Sequence, residues 1–431
     1  MNYQEALDFI HGTYKFGSKL GLENVTYLLE LLGRPQDKLK IIHIAGTNGK
    51  GSTAAYLHGV LKAGGYRVGL YTSPYLQFFT ERIQMNGVNI PEERLAELTG
   101  IVKDKIEIMV QEGRNHPTEF EVVTALALLY YAEENIDFLV LEVGLGGRLD
   151  ATNVVDNPLV SVITPIGYDH MQYLGDTLEQ IAFEKGGIIK PKGFTVSYPQ
   201  TDGVIEVFKN LCKAKNNKLF ITSLDGIEIK YSGIDAQLFS ADIQGKEYKD
   251  IEIKLAGLHQ IYNCCNALTA IEVLRRERGL VISDEAIYKG LLETRWPGRM
   301  EVLKNSPLTI IDGAHNIHGA EALKVNLEKL LSDYKITFVI GMLEDKDIEG
   351  FLKLVIPLVD RVITTKPDNP RGLAAEALRE RVLPFGKPVY AHDDINEAIG
   401  KAEELTDKKE VILFAGSLYM IGAVRGIILG A

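Results

Sequence analysis

Ile41-Ile42-His43-Ile44-Ala45-Gly46-Thr47-Asn48-Gly49-Lys50-Gly51-Ser52-Thr53 joins a run of β-branched residues to a glycine-rich turn, and residues 54–63 continue as an apolar-periodic segment. That order predicts strand, phosphate loop, helix. Gly46, Gly49 and Gly51 leave backbone N–H groups free to face phosphate oxygens, and the N-terminus of the following helix adds its dipole at the same spot. Lys50 supplies a point charge, and Ser52 or Thr53 offers a hydroxyl to a Mg²⁺ bridging the terminal phosphates of a nucleotide. The stretch departs from the G-x-x-x-x-G-K-[ST] pattern, because Ile44 stands where the first Gly belongs and Gly51 separates Lys50 from Ser52. A merely structural turn needs fewer glycines; this many around a Lys at a strand-to-helix junction point to a nucleotide loop of a particular branch.

Upstream, residues 1–39 read as two helices around a glycine-containing loop at 16–22, a candidate lid or substrate contact. Downstream, 67–72 reads as a strand ending at Ser73-Pro74, 83–90 carries an Asn-Gly hairpin signal, Pro91 opens a long helix and 118–134 forms another. Residues 137–141 are a buried strand that delivers Glu142 at its carboxyl end. Strands near 159–164 and 194–197 alternate with helices near 177–183 and 203–214, which predicts a doubly wound sheet. Residues 219–255 shift to short alternating runs, a small antiparallel patch, before helices return after Gly257. Pro297-Gly298 marks the boundary to a second α/β domain, with strands near 308–312, 336–340, 361–365, 388–391 and 410–415.

A chain of 431 residues accommodates two or three domains, each able to bury its own core. The formal charge of -11 argues against non-specific nucleic-acid binding and for a small partner. Cys212, Cys264 and Cys265 form no C-x-x-C pair, so no disulfide framework or cysteine zinc site is indicated and a reducing cytoplasm fits. The N-terminus lacks the basic and apolar regions of a secretory signal. The run 411–431 is the one membrane candidate, but it holds Arg425, which costs about 2.5 to 3.5 kcal/mol near a bilayer centre, and a Gly416-Ser417 break. It is expected to be a buried strand and helix.

The candidate chemistry sits at strand ends. Glu142 is followed by Val143-Gly144-Leu145-Gly146-Gly147-Arg148, where a carboxylate can serve Mg²⁺ or simply face solvent. Asp169 and His170 follow the next strand, at the edge where α/β sheets bind ligands, and suit a metal or phosphate role. Lys185 ends a helix, where a Lys ordinarily complements the dipole. Asp312-Gly313-Ala314-His315-Asn316 closes the first strand of the second domain with Arg299 upstream; these are either the far wall of a nucleotide site or a capping Asp and a surface Arg.

Together these pieces resemble the Mur ligase superfamily and, within it, the folylpolyglutamate synthases, which in bacteria are often also dihydrofolate synthases. The motifs that carry the resemblance run nearly end to end: residues 46–52, 72–76 with Glu81-Arg82-Ile83, 118–121, 142–153, Asp169-His170-Met171, Glu184-Lys185, Gly257-Leu258-His259-Gln260 with Asn263, Trp296-Pro297-Gly298-Arg299, and 312–316. The resemblance implies a P-loop ATPase-type domain at 1–296, a doubly wound sheet with an antiparallel β patch, and a Rossmann-like α/β domain at 297–431. It implies ATP bound by Thr47, Asn48, Gly49, Lys50, Gly51, Ser52, Asn263, Arg299 and Asp312. It also implies two Mg²⁺ ions held by Ser52, Ser73, Glu142, His170 and a carbamylated Lys185, so that Lys185 gains a role its position alone does not suggest. Thr118, Glu119, Phe120, Glu121, Leu149, Asp150 and Ala151 are expected on the pterin side, Ser417 among the substrate contacts, and His315 as an aid to phosphoryl transfer.

The implied reaction is amide ligation in a cytoplasmic monomer, with no membrane or nucleic-acid partner. A carboxylate of folate or dihydropteroate takes the γ-phosphoryl of ATP, and the amine of L-glutamate attacks the acyl phosphate. Three positions depart from the family: Tyr75 replaces a His, Ile317 a Pro and Cys264 an Ala, and none removes a charge assigned to metal or phosphate. The competing enzyme reading is a Mur ligase of peptidoglycan precursors, which usually carries a separate N-terminal domain for a UDP sugar, whereas the strand of the phosphate loop begins here at Ile41. A nucleotide-dependent switch or scaffold is the reading from another class, and it needs no converging carboxylate, His and Lys.

Overall fold

The computed structural model describes residues 1–16 and 21–430, so the candidate lid loop lies largely outside the described residues. The first domain is built on β1 (Ile41–Ala45), β2 (Val68–Tyr71), β3 (Ile83–Met85), β4 (Val88–Asn89), β5 (Phe138–Glu142), β6 (Val160–Ile163), β7 (Phe194–Ser197) and β8 (Lys218–Ile221). Their order is β4-β3-β2-β5-β1-β6-β7-β8, parallel except for the hairpin strands β3 and β4. Asn86 and Gly87 at the hairpin tip both have positive φ, as an Asn-Gly turn requires. Every residue of β1, β2, β5 and β6 is buried, because helices cover both faces, and this is why those strands read as unbroken apolar runs.

That order brings the carboxyl ends of β2, β5, β1 and β6 side by side. Ser73, Glu142, the glycine loop and Asp169-His170 therefore emerge along one edge, with the chain crossing over at β1. A separate three-stranded antiparallel sheet holds β9 (Glu228–Ser232), β10 (Gln237–Ile243) and β11 (Lys246–Ile253). Its predicted start was too early: β8 pairs in parallel with β7 and closes the main sheet. Lys218 and Ile221 are exposed on this edge strand, so its half-polar pattern resembles that of a solvent-facing patch.

The second domain holds β12 (Glu301–Asn305), β13 (Leu308–Ile311), β14 (Ile336–Ile340), β15 (Arg361–Thr365), β16 (Val389–His392) and β17 (Val411–Ala415), in the order β12-β13-β17-β14-β15-β16. The sequence reading missed β12, an antiparallel edge strand, so Asp312 follows the second strand of this sheet rather than the first. The run at 411–431 resolves into β17 and the helix Leu418–Leu429, and no described helix is long and apolar enough to cross a membrane.

Candidate active site between the two sheets

The phosphate loop turns at Gly49, whose φ of 81° caps the helix Lys50–Ala63, and a Cβ there would lie 2.5 Å from Asn263 Oδ1. Gly51 has its own reason: a Cβ would stand 2.9 Å from the Trp296 ring, so the glycine that breaks the common pattern is the one under the linker tryptophan. Beyond the loop opens a cavity of about 280 Å³ whose lining includes residues 46–52, Ser73, Glu142, Asp169, His170 and Lys185 from the first domain. Arg299, His315, Lys346 and Ser417 line it from the second. Asn263 and Asp312 line a smaller adjoining cavity together with Arg299 and His315.

Burial sets the electrostatics. Glu142 is buried, which pushes its carboxyl up to about 7 against the pull of Lys50, Arg299 and the Ser73 backbone N–H. Lys50 Nζ lies 3.8 Å from Glu142 Oε1 and donates to Thr47 O at 3.2 Å. Lys185 is also buried, so its ammonium is disfavoured by desolvation and then by Lys50, bringing the group down to about 7. Its Nζ donates to Gly46 O at 2.9 Å, beneath the loop. A helix-end position gave no hint of this.

Asp169 is pushed up by burial, but His170, Lys346 and Asn316 outweigh that and hold it well below the usual carboxylate range. Lys346 Nζ donates to it at 3.2 Å and Asn316 Nδ2 at 3.0 Å, both from the second domain. Asn48 of the phosphate loop donates to Asn316 Oδ1 at 3.2 Å and lies 2.8 Å from His318 Nδ1. The domains therefore meet through polar contacts at the nucleotide edge. Asn316 caps the helix Ile317–Leu330, and Ile317 occupies the first helical position, where a Pro is favoured and an Ile is compatible.

Asp312 accepts from Met300 N at 3.0 Å and Ala314 N at 2.9 Å, so part of its acceptor capacity is spent on the backbone. Burial pushes it up while Arg299 pulls it down. His315 Nδ1 donates to Gly313 O at 2.8 Å, and burial lowers the ring to about 4, which makes it neutral with Nε2 as an acceptor. Ser417 is buried and its Oγ has no partner among the described residues.

The residues expected on the pterin side stand apart from this cavity. Thr118 and Glu121 form a capping box, with Glu121 Oε2 accepting from Thr118 N at 2.7 Å. Glu119 Oε1 is 3.7 Å from His11 and 3.9 Å from Arg82, and the Phe120 ring lies against Gly144, where a Cβ would come within 2.4 Å. Asp150 Oδ2 accepts from Leu145 N at 2.7 Å, and Oδ1 accepts from Thr152 Oγ1 at 2.6 Å. Leu149 and Ala151 flank it. Phe120 and Asp150 thereby brace the turn whose residues Gly144, Leu145 and Gly146 line the cavity. Tyr75 sits beside this region, its ring 5.3 Å from the Arg82 guanidinium.

Lys346, Asp345 and Arg371 also line the main cavity, and sequence reasoning missed them. Their signal was available, since Glu344-Asp345-Lys346 follows the carboxyl end of β14. Among the described residues no group of three or more His, Cys, Asp or Glu converges as a metal nest. Ser52, Ser73 and Glu142 nonetheless offer hard oxygens around one cavity, and the buried Glu142 carboxylate gains from a nearby cation, so the donor set fits Mg²⁺ shared with phosphate oxygens.

Comparison with known proteins agrees with this geometry. The Mur ligase middle domain model matches residues 44–271, and the Mur ligase glutamate ligase domain model matches residues 298–418. The dihydrofolate synthase/folylpolyglutamate synthase of Bacillus subtilis is 38% identical, with 98% of each chain covered. A crystal structure of Mycobacterium tuberculosis folylpolyglutamate synthase complexed with ADP and AMPPCP superposes with a TM-score of 0.90 at 32% identity, covering 99% of both chains. An E. coli FolC structure in complex with DHPP and ADP gives 0.86 at 31% identity, covering 99% of this chain and 98% of that one. The chain thus belongs to the folylpolyglutamate synthase/dihydrofolate synthase family of the Mur ligase superfamily.

Proposed function

We propose that this chain uses ATP to add L-glutamate to the carboxylate of a folate, with dihydropteroate as a second acceptor. The observation that carries the reading is Glu142 facing Lys50 at 3.8 Å in a cavity whose other wall bears Arg299 and His315. The acceptor carboxylate attacks the γ-phosphorus and ADP leaves. The glutamate amine then attacks the acyl carbon, expelling phosphate and losing a proton. The loop N–H groups and Lys50 hold the phosphates from one side, and Arg299 balances developing charge from the other. Neutral His315 presents Nε2 as an acceptor to the incoming amine, and Ser417 offers an uncommitted hydroxyl.

Ser52, Ser73 and Glu142 would hold one Mg²⁺, and His170 with Lys185 a second. When bound, the ions supply charge neutralisation on the phosphate oxygens. An amine lowered to about 7 is substantially neutral at physiological pH, so the Lys185 lone pair can add to CO₂ with loss of a proton, giving the carbamate. Thr118 to Glu121 and Leu149 to Ala151 would frame the pterin side behind the 144–147 turn. We place the domain division at 296/297, with the second domain closing over the first through Asn316 and Lys346, and we take the chain to work as a cytoplasmic monomer.

The test is phosphate release with Mg²⁺, ATP and L-glutamate. Release should require a folate or dihydropteroate, and equal turnover with a UDP-muramyl acceptor would overturn the reading.

A further inference from the structure

The smaller cavity lies between the helices Leu258–Arg278 and Ile317–Leu330, and Asn326 lines it. Asn326 is 2% exposed, and its Nδ2 has no hydrogen-bond partner among the described residues. A buried amide donor left unpaired is unfavourable unless a partner arrives on binding. The amide packs closely on Gly257: a Cβ there would lie 2.5 Å from Asn326 Oδ1, so only a glycine leaves it this room.

The neighbouring polar groups are engaged. Asn263 Nδ2 donates to Gln260 Oε1 at 3.3 Å, Asp312 accepts two backbone N–H groups, and His318 Nδ1 faces Asn48. Position along the helix supplies a scale. The phosphate loop touches it at Asn263 through Gly49, and Asn326 touches its start at Gly257. Six residues of helix span roughly 9 Å, so Asn326 is set off from the phosphate loop by a distance on the scale of a nucleotide's reach from phosphate to base.

We propose that Asn326 is a base-reading residue, whose side-chain N–H donates to a ring nitrogen of adenine and so contributes to selection of ATP. This rests on the ATP-dependent ligase reading above. The contact is to N1, where adenine has a lone pair and hypoxanthine an N–H, or to N7, which both share.

The experiment pairs Asn326→Leu with ATP, ITP and 7-deaza-ATP in the acceptor-dependent phosphate assay. Asn326→Leu should raise the KM for ATP about tenfold, and wild type should show a like loss with the analogue lacking the acceptor. With that analogue the substitution should cost little more, because the contact is already gone. Asn326→Ala removes the same donor without adding a buried charge, and should repeat the pattern. An ATP KM within twofold of wild type in both variants overturns the proposal. So does an equal rise for ATP, ITP and 7-deaza-ATP, the mark of a merely structural residue. Failure of the ligase reading is distinguishable, since wild type would then release no phosphate with any acceptor.

Discussion

Glu142 and Asp312 occupy similar places in the two sheets, one ending β5 and the other just after β13, and each is pushed up by burial, yet they do different work. Asp312 ties Met300 and Ala314 together through their backbone N–H groups and so shapes the wall of the second domain. Glu142 faces Lys50 and a cavity, with a single backbone N–H from Ser73 among its stabilising contacts. Similar positions in a fold do not imply identical roles; what separates them is how many lone pairs the protein has already used.

The contrast can be broken most forcefully through activity. Glu142→Ala should lower turnover on the order of a thousandfold, the scale for losing a preorganised charge in a closed site, while thermal stability holds. Steady-state kinetics beside a melting curve checks both, and an active Glu142→Ala chain would remove Glu142 from the site. Asp312→Ala should do the reverse in emphasis, costing roughly 2–4 kcal/mol of stability by leaving two buried N–H groups unpaired. Denaturant unfolding reads that cost, and a variant as stable as wild type would show the backbone contacts to be dispensable.

A finer test uses pH. The Glu142 carboxyl titrates near 7 when folded against 4.5 for an unperturbed Glu, so the folded chain binds its proton more tightly. Its contribution to stability is therefore full below about 4.5 and lost as pH rises through about 7. Relative to Glu142→Gln, wild type without Mg²⁺ should lose on the order of 3 kcal/mol across that window. Parallel stability curves would mean that Glu142 ionises freely. The smallest expected effect is Tyr75→His, which trades away a ring contact with Arg82, a change of about 1 kcal/mol or less in unfolding free energy.

Glycine turns at strand ends made Glu142, His170 and Asp312 legible in the sequence, because both the strand and the break that follows leave local signatures. For Lys185 only the family resemblance suggested a role in the chemistry. Its burial under Gly46 comes from a contact 139 residues away, and no local pattern encodes that. Lys346 differs: its place after β14 was readable, but its pairing with Asp169, 177 residues back, was not. Edge strands were the weak point of the fold reading: β8 and β12 are half-exposed, so their composition matches a loop or a surface patch as well as a sheet.

The most direct test of carboxylate activation follows the oxygen. With the acceptor carboxylate labelled with heavy oxygen, the account predicts that the phosphate released during ligation carries one labelled atom, because the acyl phosphate breaks at the acyl carbon. Unlabelled phosphate, with amide formed at the normal rate, would contradict it.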